Sequence, residues 1–220
     1  RTGILPQNIA ILYRANFQSR ALEEALLDTG VPYRVLGTRF FDRSEIKDIL
    51  SYLRAALNPK SRIDTARIVS APPRGIGKAT LAHMLEGTID QLGAAAQKKV
   101  ETFQNLLARI NEAACTQPVS EVLRMILTES GMETHLYTEG DEGRERLENI
   151  KELVSLATRY DGMDSQEGAE RLIEDAALAS EQDSLEHGET GSVSLMTVHA
   201  SKGLEFDIVY ITGLEEGLFP

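Results

Sequence analysis

The chain has 220 residues, 42% apolar and 26% charged, with no low-complexity tract; that excludes a disordered protein and suffices for one large domain or two modest ones. A single cysteine, Cys115, excludes an internal disulfide and fits a reducing, cytoplasmic setting, while no run of about 18 apolar residues spans a membrane and no stretch reads as a signal peptide. The net charge of −11 is uneven: residues 1–80 carry 13 Lys+Arg against 7 Asp+Glu (+6) and the remainder carries −17, so the whole chain cannot wrap a polyanion but its basic end can meet a phosphate.

In chain order, Ile9-Ala-Ile-Leu-Tyr13 follows Pro6 as a short apolar run that predicts a buried strand. Asn16 predicts an N-cap, Ala21, Leu22, Ala25 and Leu26 recur at helical spacing, and Gly30 closes that helix. Val31-Pro-Tyr-Arg-Val-Leu36 predicts a second strand, so residues 9–36 have the size of a parallel crossover unit. From Ser44 to about Ser180 the spacing turns helical, with Ile46, Ile49, Leu50 and Leu53, then Val100, Phe103, Leu106, Leu107 and Ile110, then Leu147, Ile150, Leu153, Val154 and Leu156. After a polar linker over 181–190, Val193-Ser-Leu-Met-Thr-Val198 alternates and Asp207-Ile-Val-Tyr-Ile-Thr212 is a β-branched run. One helical block is thus bracketed by two α/β pieces, neither able to cover a sheet alone. The expected fold is α/β plus all-α: one parallel-sheet lobe built by both ends (residues 1–43 and 188–220), with a helical domain inserted at 44–187. The chain opens on Arg1-Thr-Gly without Met and stops at Gly217-Leu-Phe-Pro220, which reads as two cuts inside a longer protein.

Within the helical block, Pro72-Pro-Arg-Gly-Ile-Gly-Lys-Ala-Thr80 looks built to hold a phosphate. A nucleotide P-loop needs G-x-x-x-x-G-K-[ST], in which glycines expose backbone amides, the lysine meets outer phosphates and the hydroxyl binds Mg²⁺. Here Ala79 stands at the hydroxyl position, Pro72 stands where the first glycine belongs, and no strand leads in. Two readings remain. The stretch is a plain turn into a helix, or it is a helix-hairpin-helix whose Gly75 and Gly77 aim amides at a DNA phosphate, with Ile76 filling the gap between helices and Lys78 and Thr80 adding contacts.

Two further stretches collect polar chemistry. Tyr13-Arg14 ends the first strand, where ligands gather on open α/β sheets; a tyrosine there can stack on a base and an arginine can neutralise a phosphoryl group, although taken alone the pair is ordinary strand-end surface. Between the last two strands, Thr197-Val-His-Ala-Ser-Lys-Gly-Leu-Glu-Phe206 gathers a hydroxyl, an imidazole, an ammonium, a glycine and a carboxylate. That is polar for a routine crossover, although a lone loop histidine is more often structural.

Together these stretches resemble superfamily 1 DNA helicases of the UvrD/PcrA/Rep type. Ile11-Leu-Tyr-Arg-Ala-Asn-Phe-Gln-Ser-Arg20 is similar to their motif IV. Leu195 to Phe206 is similar to motif V, and Glu215-Glu-Gly-Leu-Phe-Pro220 to the family segment just C-terminal to it. Arg39-Phe-Phe-Asp-Arg-Ser-Glu-Ile-Lys-Asp48, the Pro72–Gly77 loop and Arg144-Glu-Arg-Leu-Glu-Asn149 match family segments in the same order, so the resemblance covers essentially the whole chain.

The resemblance implies that the ends form part of the second RecA-like lobe (2A) and the helical insert the 2B domain. It implies that Tyr13 stacks on the adenine of ATP, Arg14 reaches the γ-phosphate, and Glu205 hydrogen-bonds the ribose with Lys202 and Gly203 beside it. Thr197 and His199 would touch single-stranded DNA, and Gly75, Ile76 and Gly77 the duplex. The implied activity is ATP-dependent, 3′→5′ unwinding in DNA repair or replication, with repair or replication proteins as further partners. No Walker A or B strand is present, and the family's motif VI belongs after Pro220. This chain would therefore supply one wall of an ATP cleft, hold no Mg²⁺ ligand and be inactive alone. The competing class is a non-catalytic DNA- or protein-docking module, which has no use for Tyr13, Arg14 and Glu205 placed to meet a nucleotide.

Overall fold

The computed structural model describes residues 4–185 and 191–216. The chain divides into two compact units, residues 1–43 with 176–220, and residues 44–175. In the first unit, strands β1 (Ile9–Tyr13) and β2 (Tyr33–Leu36) flank helix α1 (Ser19–Asp28), and strands β3 (Val193–Thr197) and β4 (Ile208–Ile211) come from the other end of the chain. All four run parallel in the order β2-β3-β1-β4, with Tyr13 opposite Thr197 and Ile9 opposite Ile208.

That order agrees with the parallel crossover unit expected over residues 9–36 and adds a strand inside it. β1 and β2 are parallel but not neighbours, because β3 lies between them and hydrogen-bonds to both. Among the described residues, β1 therefore pairs only with strands from the other end of the chain. The alternation of β3 misleads: Ser194, Leu195 and Met196 are all fully buried, as expected for a central strand covered on both faces. Ser194 tolerates this because its hydroxyl accepts from Arg34 Nε at 3.0 Å. Among the described residues β4 is one of the two edge strands, with Val209, Tyr210 and Ile211 exposed.

Asn16 does not cap α1. It lies in a short 3-10 turn, Asn16–Gln18, and α1 starts at Ser19. Gln18 takes over the polar accounting: its Oε1 accepts from the backbone N–H groups of Arg14 at 3.0 Å and Ala15 at 2.9 Å, which the end of β1 leaves free.

The second unit is helical throughout: α2 (Ser44–Leu57), α3 (Arg62–Ile68), α4 (Lys78–Glu86), α5 (Ala94–Thr116), α6 (Val119–Glu129), α7 (Met132–Thr138), α8 (Gly140–Ala157) and the first part of α9 (Ser165–Leu185). α9 runs five residues past Ser180, into the stretch that polarity alone assigns to a linker; residues 186–190 of that linker and the Gly217–Pro220 terminus lie outside the described residues. The core is the apolar face of α2, where Ile46, Ile49, Tyr52 and Leu53 are fully buried, packed with α5, α6 and α8. Two of the matched family segments meet here. Asn149 of α8 donates from Nδ2 to Glu45 Oε1 of α2 at 2.7 Å, and Arg146 Nε lies 3.6 Å from the same carboxylate. Glu45 is almost fully buried, so without these partners it would be a costly charge. These segments hold α2 to α8.

Candidate functional site

The first cluster sits at the C-terminal end of β1. The Val198 N–H donates to Tyr13 O at 2.9 Å, which extends the β1–β3 ladder by one bond and sets the following residues of the two segments side by side. Beyond that bond, Arg14 and His199 are exposed and touch: Arg14 Nη1 lies 2.8 Å from Nδ1 and 3.2 Å from Nε2 of His199. The loop carrying His199 is wound into successive turns. Ala200 N–H donates to Thr197 Oγ1 at 3.2 Å, Ser201 N–H to Thr197 O at 3.2 Å, Ser201 Oγ to Val198 O at 2.8 Å, and Leu204 N–H to Ser201 O at 3.0 Å. Gly203 completes it at φ +84°, a left-handed conformation that an L side chain rarely adopts.

The structure brings Arg14, Thr197 and His199 to one end of the sheet. Lys202, Gly203 and Glu205 are exposed on the segment that returns from the C-terminal end of β3 to the start of β4, where Asn8 Nδ2 meets Asp207 Oδ2 at 2.6 Å. Lys202 is joined to the cluster through its backbone, whose N–H points to His199 O at 3.4 Å.

Tyr13 departs from its expected role. It is 1% exposed and packs with Tyr33, Val193 and Leu195 against Leu22 and Leu26 of α1, so its ring offers no free face for a base to stack on. Burial, with the nearby Glu23 carboxylate adding to it, pushes its hydroxyl up to about 12. Period-two alternation puts Tyr13 on the face of β1 shared with Ile9 and Ile11, and α1 covers that face. Gln18 is the residue that sequence reasoning missed. Its only cue is the distance from Arg14, four positions, over which an amide side chain can reach back to free backbone donors.

The second cluster is the 69–77 loop of the helical unit, which joins α3 to α4. Gly77 is the N-cap of α4 with no capping side chain, leaving the first amides of that helix without intrahelical partners. Ile76 is buried, Lys78 is exposed and Thr80 half-buried. Gly75, at φ +72°, makes the turn.

The loop is held from beneath by Arg74. Its guanidinium lies 5.6 Å from the Tyr52 ring centroid and 5.1 Å from that of Phe103, and donates to Ile68 O at 2.8 Å and Ser130 O at 3.1 Å. Lys99 of α5 closes the loop from its other side, donating from Nζ to Gly75 O at 3.2 Å. Neither tie was legible: Arg74 reads as one more cation of the loop, and Lys99 lies 24 residues away.

Residues 3–220 match the family model described as UvrD-like helicase C-terminal domain. The chain is 37% identical over 231 residues to the DNA helicase II of Rickettsia typhi, covering 97% of this chain and 34% of that protein. It is 36% identical to the ATP-dependent DNA helicase PcrA of Bacillus subtilis (97% and 32% covered) and 35% identical to the DNA helicase II of Escherichia coli (96% and 32%). The chain spans about a third of the length of the curated relatives it matches.

Proposed function

Since the chain belongs to the UvrD-like helicase C-terminal domain family, we propose that it is the 2A/2B part of an ATP-dependent DNA helicase. Residues 1–43 and 188–220 form the 2A RecA-like lobe, and residues 44–187 form the 2B insert. The full-length protein moves 3′→5′ on single-stranded DNA and opens duplex in repair or replication. In this reading Arg14 neutralises charge on the transferring γ-phosphoryl group, Glu205 accepts from the ribose hydroxyls, and Lys202 and Gly203 border the nucleotide. Thr197 and His199 face the single strand. Gly75, Ile76 and Gly77 present backbone to a duplex phosphate, with Lys78 and Thr80 beside them. Tyr13 serves from inside, as the packed residue that sets the end of β1. Mg²⁺ accompanies the nucleotide and is held by residues outside this chain.

The observation that carries this reading is Arg14. It is an exposed guanidinium at the C-terminal end of a parallel strand, with its backbone fixed by Gln18 and its side chain against the 197–204 loop. In the full-length protein, Arg14→Ala is expected to lower DNA-stimulated ATP turnover by about 10³-fold or more, while single-strand affinity stays nearly unchanged. Turnover equal to wild type would remove Arg14 from the nucleotide site.

A further inference from the structure

The 69–77 loop is tied to a helix that lies outside the α3–α4 hairpin. Lys99 belongs to α5, 24 residues past Gly75, yet its Nζ donates to Gly75 O at 3.2 Å. The seat is close. A Cβ built on Gly75 would lie 2.6 Å from that nitrogen, so the glycine that makes the turn also admits the ammonium. Lys99 is exposed, and among the described residues it pairs with no carboxylate. Its bond to Gly75 O takes one of three ammonium hydrogens and leaves two, with the full positive charge, beside the turn.

Arg74, the loop's own arginine, is committed elsewhere: it donates to Tyr52 Oη, Ile68 O and Ser130 O beneath the loop. The cation at the side of the turn is therefore Lys99. As a brace it gains little, because ordering a long side chain at an exposed glycine offsets most of what one hydrogen bond contributes. As a charge it acts differently. A cation that meets a DNA phosphate releases a condensed counterion, and that gain does not need burial.

We infer that Lys99 is a phosphate ligand of the duplex site, a cation brought to the Gly75–Gly77 turn by α5 from outside the hairpin. This rests on the reading of that turn as the duplex contact. The duplex footprint of the helical unit then takes in the first turns of α5 as well as the α3–α4 loop.

The test uses the full-length protein and three variants: Lys99→Met, which keeps the stem without the charge, Lys99→Arg, which keeps the charge, and Gly77→Ala. Each is titrated with a blunt duplex and with oligothymidylate over a range of salt concentrations. For Lys99→Met, the slope of log K against log salt on duplex should become shallower by about 0.9, the release of one counterion. Duplex affinity then falls about five- to tenfold near about 0.1 M salt and converges on wild type near about 1 M. Oligothymidylate shows neither change, and Lys99→Arg restores the duplex slope. Duplex affinity lost with the slope unchanged would make Lys99 a brace of the turn and overturn the inference. Equal loss on both DNAs, or no loss at all, overturns it too. If Gly77→Ala weakens duplex binding while Lys99→Met does not, the duplex reading of the turn survives and this inference fails. If neither variant weakens it, both fail.

Discussion

Gly75 and Gly77 look equivalent in the sequence and are not. Gly75 sits at φ +72°, and a Cβ built there would lie 2.6 Å from Lys99 Nζ. Gly77 sits at φ −85°, and a Cβ there would meet nothing within 4 Å. Gly75→Ala should therefore destabilise the chain by about 1–2 kcal/mol, the cost of a left-handed L residue, with Lys99 swinging aside. Gly77→Ala should cost under about 0.5 kcal/mol, so its effect on DNA is free of folding. Urea denaturation of the two variants checks the difference; equal midpoints would show that the turn is not strained. In the full-length protein Gly77→Ala should then weaken fork or duplex binding more than single-strand binding, and equal loss on both would make the loop structural. At this scale the residue types were legible and their surroundings were not. Arg14, His199 and the two glycines announce themselves by chemistry, whereas Tyr13 looked available only because a strand-end position does not reveal that α1 covers its face.

Among elements, α3 shows how a short helix is held. Ser61 is its N-cap, accepting from the Asp64 N–H, and the Asp64 carboxylate accepts from Ser61 Oγ at 2.6 Å and Arg54 Nε at 2.8 Å. Burial alone would raise the Asp64 carboxyl, but the hydrogen bonds from Ser61 and Arg54 and the Arg54 charge outweigh it, so it sits below its ordinary value. A carboxyl lowered in the folded state adds stability above its unfolded pKa, about 3.9, and loses it as pH falls through the folded value. Asp64→Ala is thus expected to cost about 1–2 kcal/mol at pH 7 and progressively less as pH drops below about 4. Denaturant midpoints at neutral and acid pH measure it, and a cost independent of pH would assign the effect to packing.

Helical periodicity was strong enough to find these elements, since α2 buries Ile46, Ile49, Leu50 and Leu53 and α5 buries Val100, Phe103, Leu106 and Ile110, with Leu107 half-buried. It failed where the tertiary setting decides: the alternation of β3 gave no sign of cover on both faces, and Asn16 falls in a 3-10 turn ahead of α1 instead of at its N-cap.

For the whole molecule, the decisive feature is the interleaved sheet, because among the described residues β1 has neighbours only from the opposite end of the chain. Composition and strand spacing implied that both ends share one lobe, but strand order is a property of pairing that local pattern does not encode. The sheet sets Arg14 beside the 197–204 loop, and that juxtaposition carries the reading of a nucleotide-facing wall. It is tested most directly by titrating the full-length protein with a nonhydrolysable ATP analogue and with ADP, before and after Arg14→Ala. If the guanidinium meets the γ-phosphate, the Kd of the analogue should rise by about tenfold or more while that of ADP stays put. An analogue that binds the variant as tightly as the wild type would show that Arg14 does not face the nucleotide.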